Sequence, residues 1–281
     1  MKSGARKKYI ALAAVSLCVF AVLAALLVFT VCTRRAERRQ TASLAALYVA
    51  PQGDGGVAAD APTDENAGIP ARFSALYAEN PELIGWLRVG DIVDEPVVLR
   101  DNSFYLTHGF DRQPSNSGTV FADEENASRY SDDYVILYGH NIHDGSKFAP
   151  LSKYKKLDFL KENPVIEWDT VRSGDAAGEY AVFALFDASM LEDDAGYFHL
   201  RRFDELREGG DAAMQTLIDE LKTRSLADIP LDVAPGDRIL VLVTCSYSHS
   251  DGRLLIFTRA LRDGETVEDV SLAVAEAKER D

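Results

Sequence analysis

From Ile10 to Cys32 the chain runs IALAAVSLCVFAVLAALLVFTVC without a single charged side chain. As helix this stretch would measure roughly 33 Å, enough to cross a bilayer's hydrocarbon core. Ser16 and Thr30 do not spoil the run, because short hydroxyls can bond back to their own helix. A cleaved signal peptide has a shorter apolar region, of about 7–15 residues, ending in small residues. Here the run is longer and is followed at once by Arg34 and Arg35. The expectation is an uncleaved single-pass anchor over 10–32, preceded by a basic N-terminus over 1–9. Both flanks are basic, so the positive-inside rule leaves its orientation open.

Charge separates the anchor region from the rest. Up to Arg39 lie eight of the 30 Lys/Arg but only one of the 45 Asp/Glu, which leaves 22 basic and 44 acidic residues beyond it. So acidic a globular part argues against nucleic acid, which needs many Lys/Arg on one face. Of the three cysteines, Cys18 and Cys32 fall in the apolar run. Cys245 is therefore alone in the remainder, without an internal disulfide partner, and is either a reactive thiol or an inert packed one.

Residues 33–68 read as a linker or stalk, rich in Ala, Gly, Pro, Asp and Thr from Thr41 onward. A folded domain over 69–281 follows. Phe73, Leu76 and Tyr77 mark one face of a short helix ended by Asn80-Pro81. Five β runs come next: Asp133–Tyr138, Val165–Trp168, Glu179–Phe186, Arg238–Thr244 and Arg253–Thr258. Several are almost continuously apolar, which suits a barrel or strands covered on both faces. Met214, Leu217, Ile218 and Leu221 form one helical stripe within Asp204–Arg224, and a last helix is expected from about Thr266 to the C-terminus. The fold class is mainly β with added helices.

Two strand ends carry chemistry-bearing groups. Tyr138-Gly139-His140-Asn141 follows one apolar strand and Val243-Thr244-Cys245-Ser246 another, with Arg253 opening the next strand. A short loop between antiparallel strands would bring Cys245 and Arg253 to one edge. A nearby imidazolium or guanidinium favours the thiolate. Thiolate attack on a peptide carbonyl creates an oxyanion, which either Arg253 or the backbone N–H of Ser246 can stabilise. His140 can protonate the departing amine. Taken singly, each residue also fits a duller role: a rim histidine, a surface ion-pair partner, a packed thiol.

The motifs together resemble a sortase of class B. Val241-Leu242-Val243-Thr244-Cys245 is similar to that family's Thr-Leu-x-Thr-Cys, with Val in place of the first Thr. Tyr138–Asn141 matches its histidine segment, and Arg253 its arginine at the start of the strand after the cysteine loop. Gly85-Trp86-Leu87, Glu95–Val98, Asn102–Leu106, Ser117–Phe121 and Phe148–Leu151 extend the likeness over about 69–261. The resemblance implies a sortase-type eight-stranded β-barrel, with N-terminal helices and a helix inserted between the His and Cys strands.

It implies a membrane-anchored cysteine transpeptidase with an extracytoplasmic catalytic domain and a cytoplasmic N-terminus. The enzyme would cleave a Pro-x-Thr-Gly/Asn-like sorting signal of surface proteins after Thr, through a Cys245 thioester. It would pass the protein to an amine of peptidoglycan or of a pilin. His140, Cys245 and Arg253 become the catalytic set, Asn102, Leu106, Thr244, Ser246 and Tyr247 substrate contacts, and no cofactor is required. The competing readings are a peptidase that hands its acyl group to water and a stalked binding module without catalysis.

Other groups point elsewhere less well. The pair His140 and His143 lacks a third fixed ligand for zinc. Asp123-Glu124-Glu125 with Asp132-Asp133 lacks calcium-loop spacing and reads as a solvated acidic loop. His249, on the short loop before Arg253, has little room to replace His140.

Overall fold

The computed structural model describes residues 2–48, 63–64, 69–128, 134–142, 144–171, 177–248 and 251–280. The chain divides into two compact units, Met1–Ser43 and Leu44–Asp281. Helix α1 (Lys2–Leu47) is continuous and contains an apolar window, Ser16–Thr33, of mean hydropathy 2.5. It is long and apolar enough to cross a membrane. Thr30 Oγ1 donates to the Leu26 carbonyl at 2.8 Å, so its hydroxyl is satisfied within the helix.

The linker expected over 33–68 begins as helix. Leu44 is buried within the second unit, and the Tyr48 ring stacks on Trp86 at 4.7 Å. Tyr48 also donates to Asp169 Oδ2 at 2.8 Å, the carboxylate that Arg72 grips with two nitrogens at 2.6 and 2.7 Å. Residues 49–62 and 65–68 of that linker lie outside the described residues. A short helix, α2 (Ser74–Glu79), follows the buried Phe73 and buries Leu76; it stops at Asn80, and the barrel begins.

Eight strands close a mixed barrel: β1 (Leu83–Val89), β2 (Val93–Val98), β3 (Val120–Ala122), β4 (Tyr134–Tyr138), β5 (Val165–Thr170), β6 (Gly178–Ser189), β7 (Ile239–Cys245) and β8 (Gly252–Ala260). Around the barrel the order is β7-β8-β6-β5-β1-β2-β3-β4, and β4 returns to β7. Two pairings are parallel, β2 with β3 and β4 with β7, and the rest are antiparallel. Ile239 to Val243 are at most 1% exposed, so β7 is covered on both faces. This explains its unbroken apolar run.

The β1–β5 contact requires a glycine. A Cβ on Gly85 would stand 2.2 Å from the Asp169 carbonyl oxygen and 2.6 Å from the Trp168 ring.

Between the His and Cys strands come α3 (Leu157–Glu162) and α4 (Phe203–Arg224). Helix α4 buries Met214, Leu217, Ile218 and Leu221, but it is broken at Gly210, whose φ of 55° is not helical. Helix α5 (Val267–Ala275) starts with a reciprocal cap between Thr266 and Asp269. It ends earlier than the sequence suggests. Lys278–Glu279 instead pairs as a strand with Ala227–Asp228, and Arg280 reaches Asp228 at 3.0 Å.

Candidate active site

Parallel pairing of β4 and β7 sets the centre of the site. Val243 is in register with Tyr138, and Gly139 N–H donates to the Val243 carbonyl at 3.1 Å. Both strands run the same way, so the residues two beyond this pair, His140 and Cys245, emerge side by side. On the other flank of β7, Cys245 is directly opposite Arg253 of β8. Opposed residues of antiparallel strands share one face of the sheet, with Cβ atoms about 4.5–5.5 Å apart. The Asn141 side-chain amide donates to the Cys245 carbonyl at 2.8 Å and ties the histidine segment to the cysteine strand.

The imidazole is oriented by a carbonyl. His140 Nε2 lies 2.7 Å from the Leu106 oxygen. A carbonyl can only accept, so Nε2 carries its proton and the other ring nitrogen is left for exchange with the thiol. Gly118, with φ of 59°, allows this approach. A Cβ there would meet the Tyr105 oxygen at 2.4 Å, the Leu106 oxygen at 3.0 Å and the His140 ring at 3.1 Å.

The electrostatics favour a thiolate–imidazolium pair. Cys245 is held below the ordinary thiol range, first by its hydrogen bond with His140 and then, against the opposing effect of partial burial, by the Arg253 charge. His140 is raised, chiefly by the same hydrogen bond, with burial opposing and the Leu106 carbonyl assisting. Lys147 lowers it somewhat; that ammonium is neutralised by Glu95 at 2.9 Å. Arg253 is itself held by Asp251, at 2.7 Å.

A cavity of about 220 Å³ opens on these groups, lined by Asn102, Leu106, Phe121, Tyr138, Gly139, His140, Val243, Thr244, Cys245 and Arg253. Three of the five expected substrate contacts, Asn102, Leu106 and Thr244, are therefore in its wall. Thr244 Oγ1 is buried and has no hydrogen-bond partner among the described residues.

Ser246 and Tyr247 are not in the wall. Ser246 turns its hydroxyl to Asp187, at 2.6 Å, and Tyr247 is 77% exposed. Ser246 N–H donates to the Gly252 carbonyl at 2.8 Å as part of the β7–β8 ladder. Of the two oxyanion donors weighed from the sequence, that one is already engaged. His143 and His249 lie outside the described residues.

Asp123 departs from the sequence reading of a solvated loop. It is fully buried, and its carboxylate accepts from Tyr138 Oη at 2.8 Å and from Asn102 Nδ2 at 3.3 Å, while Arg201 lies 3.1 Å away. Burial next to this carboxylate raises Tyr138 well above the usual phenol range. Asp123 thus braces two walls of the cavity. Neither its role nor that of Asn141 was readable from residue types, because their partners lie in other strands.

A closed mixed barrel carrying an activated thiol beside an imidazole and a guanidinium is the architecture of a cysteine transpeptidase. No protein-family model matches the chain. It is 30% identical over 200 residues to sortase B of Listeria monocytogenes, covering 70% of this chain and 76% of that one. It is 27% identical over 200 residues to sortase B of Staphylococcus aureus, covering 69% and 76%.

Among solved structures, sortase B from B. anthracis superposes with a TM-score of 0.64 at 23% identity, over 81% of this chain and 97% of the other. Sortase B from L. monocytogenes gives 0.54 at 29% identity, over 66% and 97%. The chain belongs to the class B sortases, and its barrel is the sortase fold.

Proposed function

We propose that this transpeptidase uses Cys245 as nucleophile, His140 as proton carrier and Arg253 as oxyanion stabiliser. Its substrate would be a Pro-x-Thr-Gly/Asn-like sorting signal on surface proteins, and its acceptor an amine of peptidoglycan or of a pilin subunit. The observation that carries this reading is the β4–β7 register, which puts the imidazole and the thiol at adjacent strand ends with Arg253 opposite.

In acylation the Cys245 thiolate adds to the carbonyl carbon of the Thr itself, and the negative charge moves to that carbonyl's oxygen. Arg253 faces that charge, since Ser246 N–H is committed to Gly252. The C–N bond then breaks as the imidazolium gives its Cys-facing proton to the departing amine, leaving a thioester and neutral imidazole. An incoming amine attacks the thioester, His140 takes its proton, and the C–S bond breaks to restore the thiolate. Positioning the amine is what lets it outcompete water. The apolar wall of Phe121, Val243 and Leu106 suits a short, largely apolar peptide.

The test pairs sorting-signal peptides with oligoglycine or diaminopimelate and follows thioester and ligated product by mass spectrometry. Cys245→Ala is expected to form neither. Arg253→Ala is expected to lose about 10²–10³-fold in kcat, as when an oxyanion donor is removed. Normal transfer by Cys245→Ala would exclude the nucleophile assignment. Hydrolysis alone at saturating amine would replace the transpeptidase chemistry proposed here by that of a peptidase.

A further inference from the structure

A carboxylate stands in the apolar strand β6, on the far side of β8 from the nucleophile strand. In register, Leu254 of β8 pairs with Thr244 on one side and with Asp187 on the other. Asp187 collects three donors. Its Oδ1 accepts from Ser246 Oγ at 2.6 Å, and its Oδ2 from Ser248 Oγ at 2.9 Å and from Lys155 Nζ at 2.6 Å. Its side chain is only 16% exposed, so an unpartnered charge there would be costly, and these donors offset that cost. Lys155 comes from the short helical segment Ala149–Lys155. The cluster therefore joins three parts of the chain that share no backbone ladder at this point.

Ser246 and Ser248 are the first and third residues after the nucleophile, and the loop they begin ends at Arg253. Its far end is closed by the Ser246 N–H to Gly252 carbonyl bond. Asp251, which grips Arg253, occupies a left-handed conformation with φ of 46°, unfavourable for a residue with a Cβ. A loop that must hold this conformation and deliver a guanidinium opposite a thiol needs external anchoring.

We propose that Asp187 is a positioning residue: with Lys155 it clamps Ser246 and Ser248 and so sets where Arg253 stands relative to Cys245. The same clamp explains why Ser246 is turned away from the cavity. It holds Tyr247 between two anchored serines at the rim, exposed beside the site. This inference rests on the reading of Cys245 and Arg253 as working partners.

The test uses the full chain in detergent micelles, with Asp187→Asn, Asp187→Glu and Lys155→Met. Three measurements are made: kcat and KM for peptide transfer, the pH dependence of iodoacetamide alkylation at Cys245, read by peptide mass, and the unfolding temperature of each variant. Asp187→Asn is expected to lower kcat by about 10-fold or more with KM little changed, because small displacements of a catalytic group are costly. Its alkylation profile should move to higher pH as Arg253 loses its place.

Lys155→Met, which leaves both serine contacts, should show a weaker effect of the same sign, and Asp187→Glu should restore part of the loss. Unchanged kcat with an unchanged alkylation profile in Asp187→Asn would overturn the proposal. So would a loss of activity that merely tracks a lowered unfolding temperature. Alkylation requires no sorting peptide, so it tests the clamp even if the substrate proposed above is wrong.

Discussion

At Cys245 the decisive quantity is the fraction of thiolate near neutral pH, and the largest lowering influence on it is one neighbour. The hydrogen bond with His140 lowers the thiol more than Arg253 does, and partial burial works against both. A depressed thiol is ionised from a lower pH than a free cysteine. Replacing His140 with Ala should therefore move the alkylation midpoint of Cys245 upward, while Arg253→Ala should move it less. An unmoved midpoint in His140→Ala would show that the imidazole does not govern the sulfur.

Asn141 makes a sharper case, because its side-chain amide donates to the Cys245 carbonyl at 2.8 Å. Asn141→Ala removes one ordinary hydrogen bond, about 1 kcal/mol of net stability, yet it frees the histidine segment from the cysteine strand. The expected outcome is a fall in kcat larger than the loss of stability would suggest, checked by comparing kcat with chemical denaturation.

Among the elements, β4 to β8 were legible from short runs of β-branched, aromatic and apolar residues, and helix α4 from its apolar stripe, although its break at Gly210 was not. β1, β2 and β3 were not read as strands from their residues. β1 contains Gly85 and β2 contains Pro96, both poor strand formers, and β3 is three residues long. Tertiary context overrides those propensities. β3 meets β2 only at Val97 and Val98, so Pro96 has a strand neighbour on one side alone, where a missing N–H is tolerated. Gly85 is required by the approach of β5. Gly85→Ala should destabilise the barrel by about 1–3 kcal/mol, the range for overpacking a close contact. For a domain of this size that is a Tm lowered by roughly 2–4 °C per kcal/mol. An unchanged thermal midpoint would mean that β1 and β5 can separate without cost.

The molecule as a whole combines an apolar helix with an acidic catalytic unit. Membrane anchoring by α1 is an expectation from its length and hydropathy, 2.5 over Ser16–Thr33. Two arginines placed mid-window, as in the double variant Leu23→Arg and Leu26→Arg, would add about 2.5–3.5 kcal/mol each to insertion. That variant should leave the membrane fraction under alkaline extraction while the native chain stays. Retention of both would point to a different attachment.

The end of α1 alters the picture of a free stalk. Leu44 and Tyr48 are packed into the catalytic unit, with Tyr48 stacked on Trp86 and bonded to Asp169. A segment rich in Ala and Thr has no periodicity to announce this, because one leucine and one aromatic ring carry the packing.

Local order along the chain is enough to give the long apolar helix, the apolar strands, the stripe of α4 and the residue types of a cysteine enzyme, since these depend on hydrophobicity and spacing within a few residues. Convergence is different in kind. His140 and Cys245 are brought together by a parallel pairing between strands separated by about a hundred residues, and no short pattern encodes which strands will be neighbours. The same holds for Asp123, which looks like part of a solvated acidic run until Tyr138, Asn102 and Arg201 are folded around it. It holds too for Ser246, whose place beside the nucleophile suggested the cavity and whose hydroxyl Asp187 draws away. Burial and hydrogen-bond partners are properties of the closed barrel, and only closure determines them.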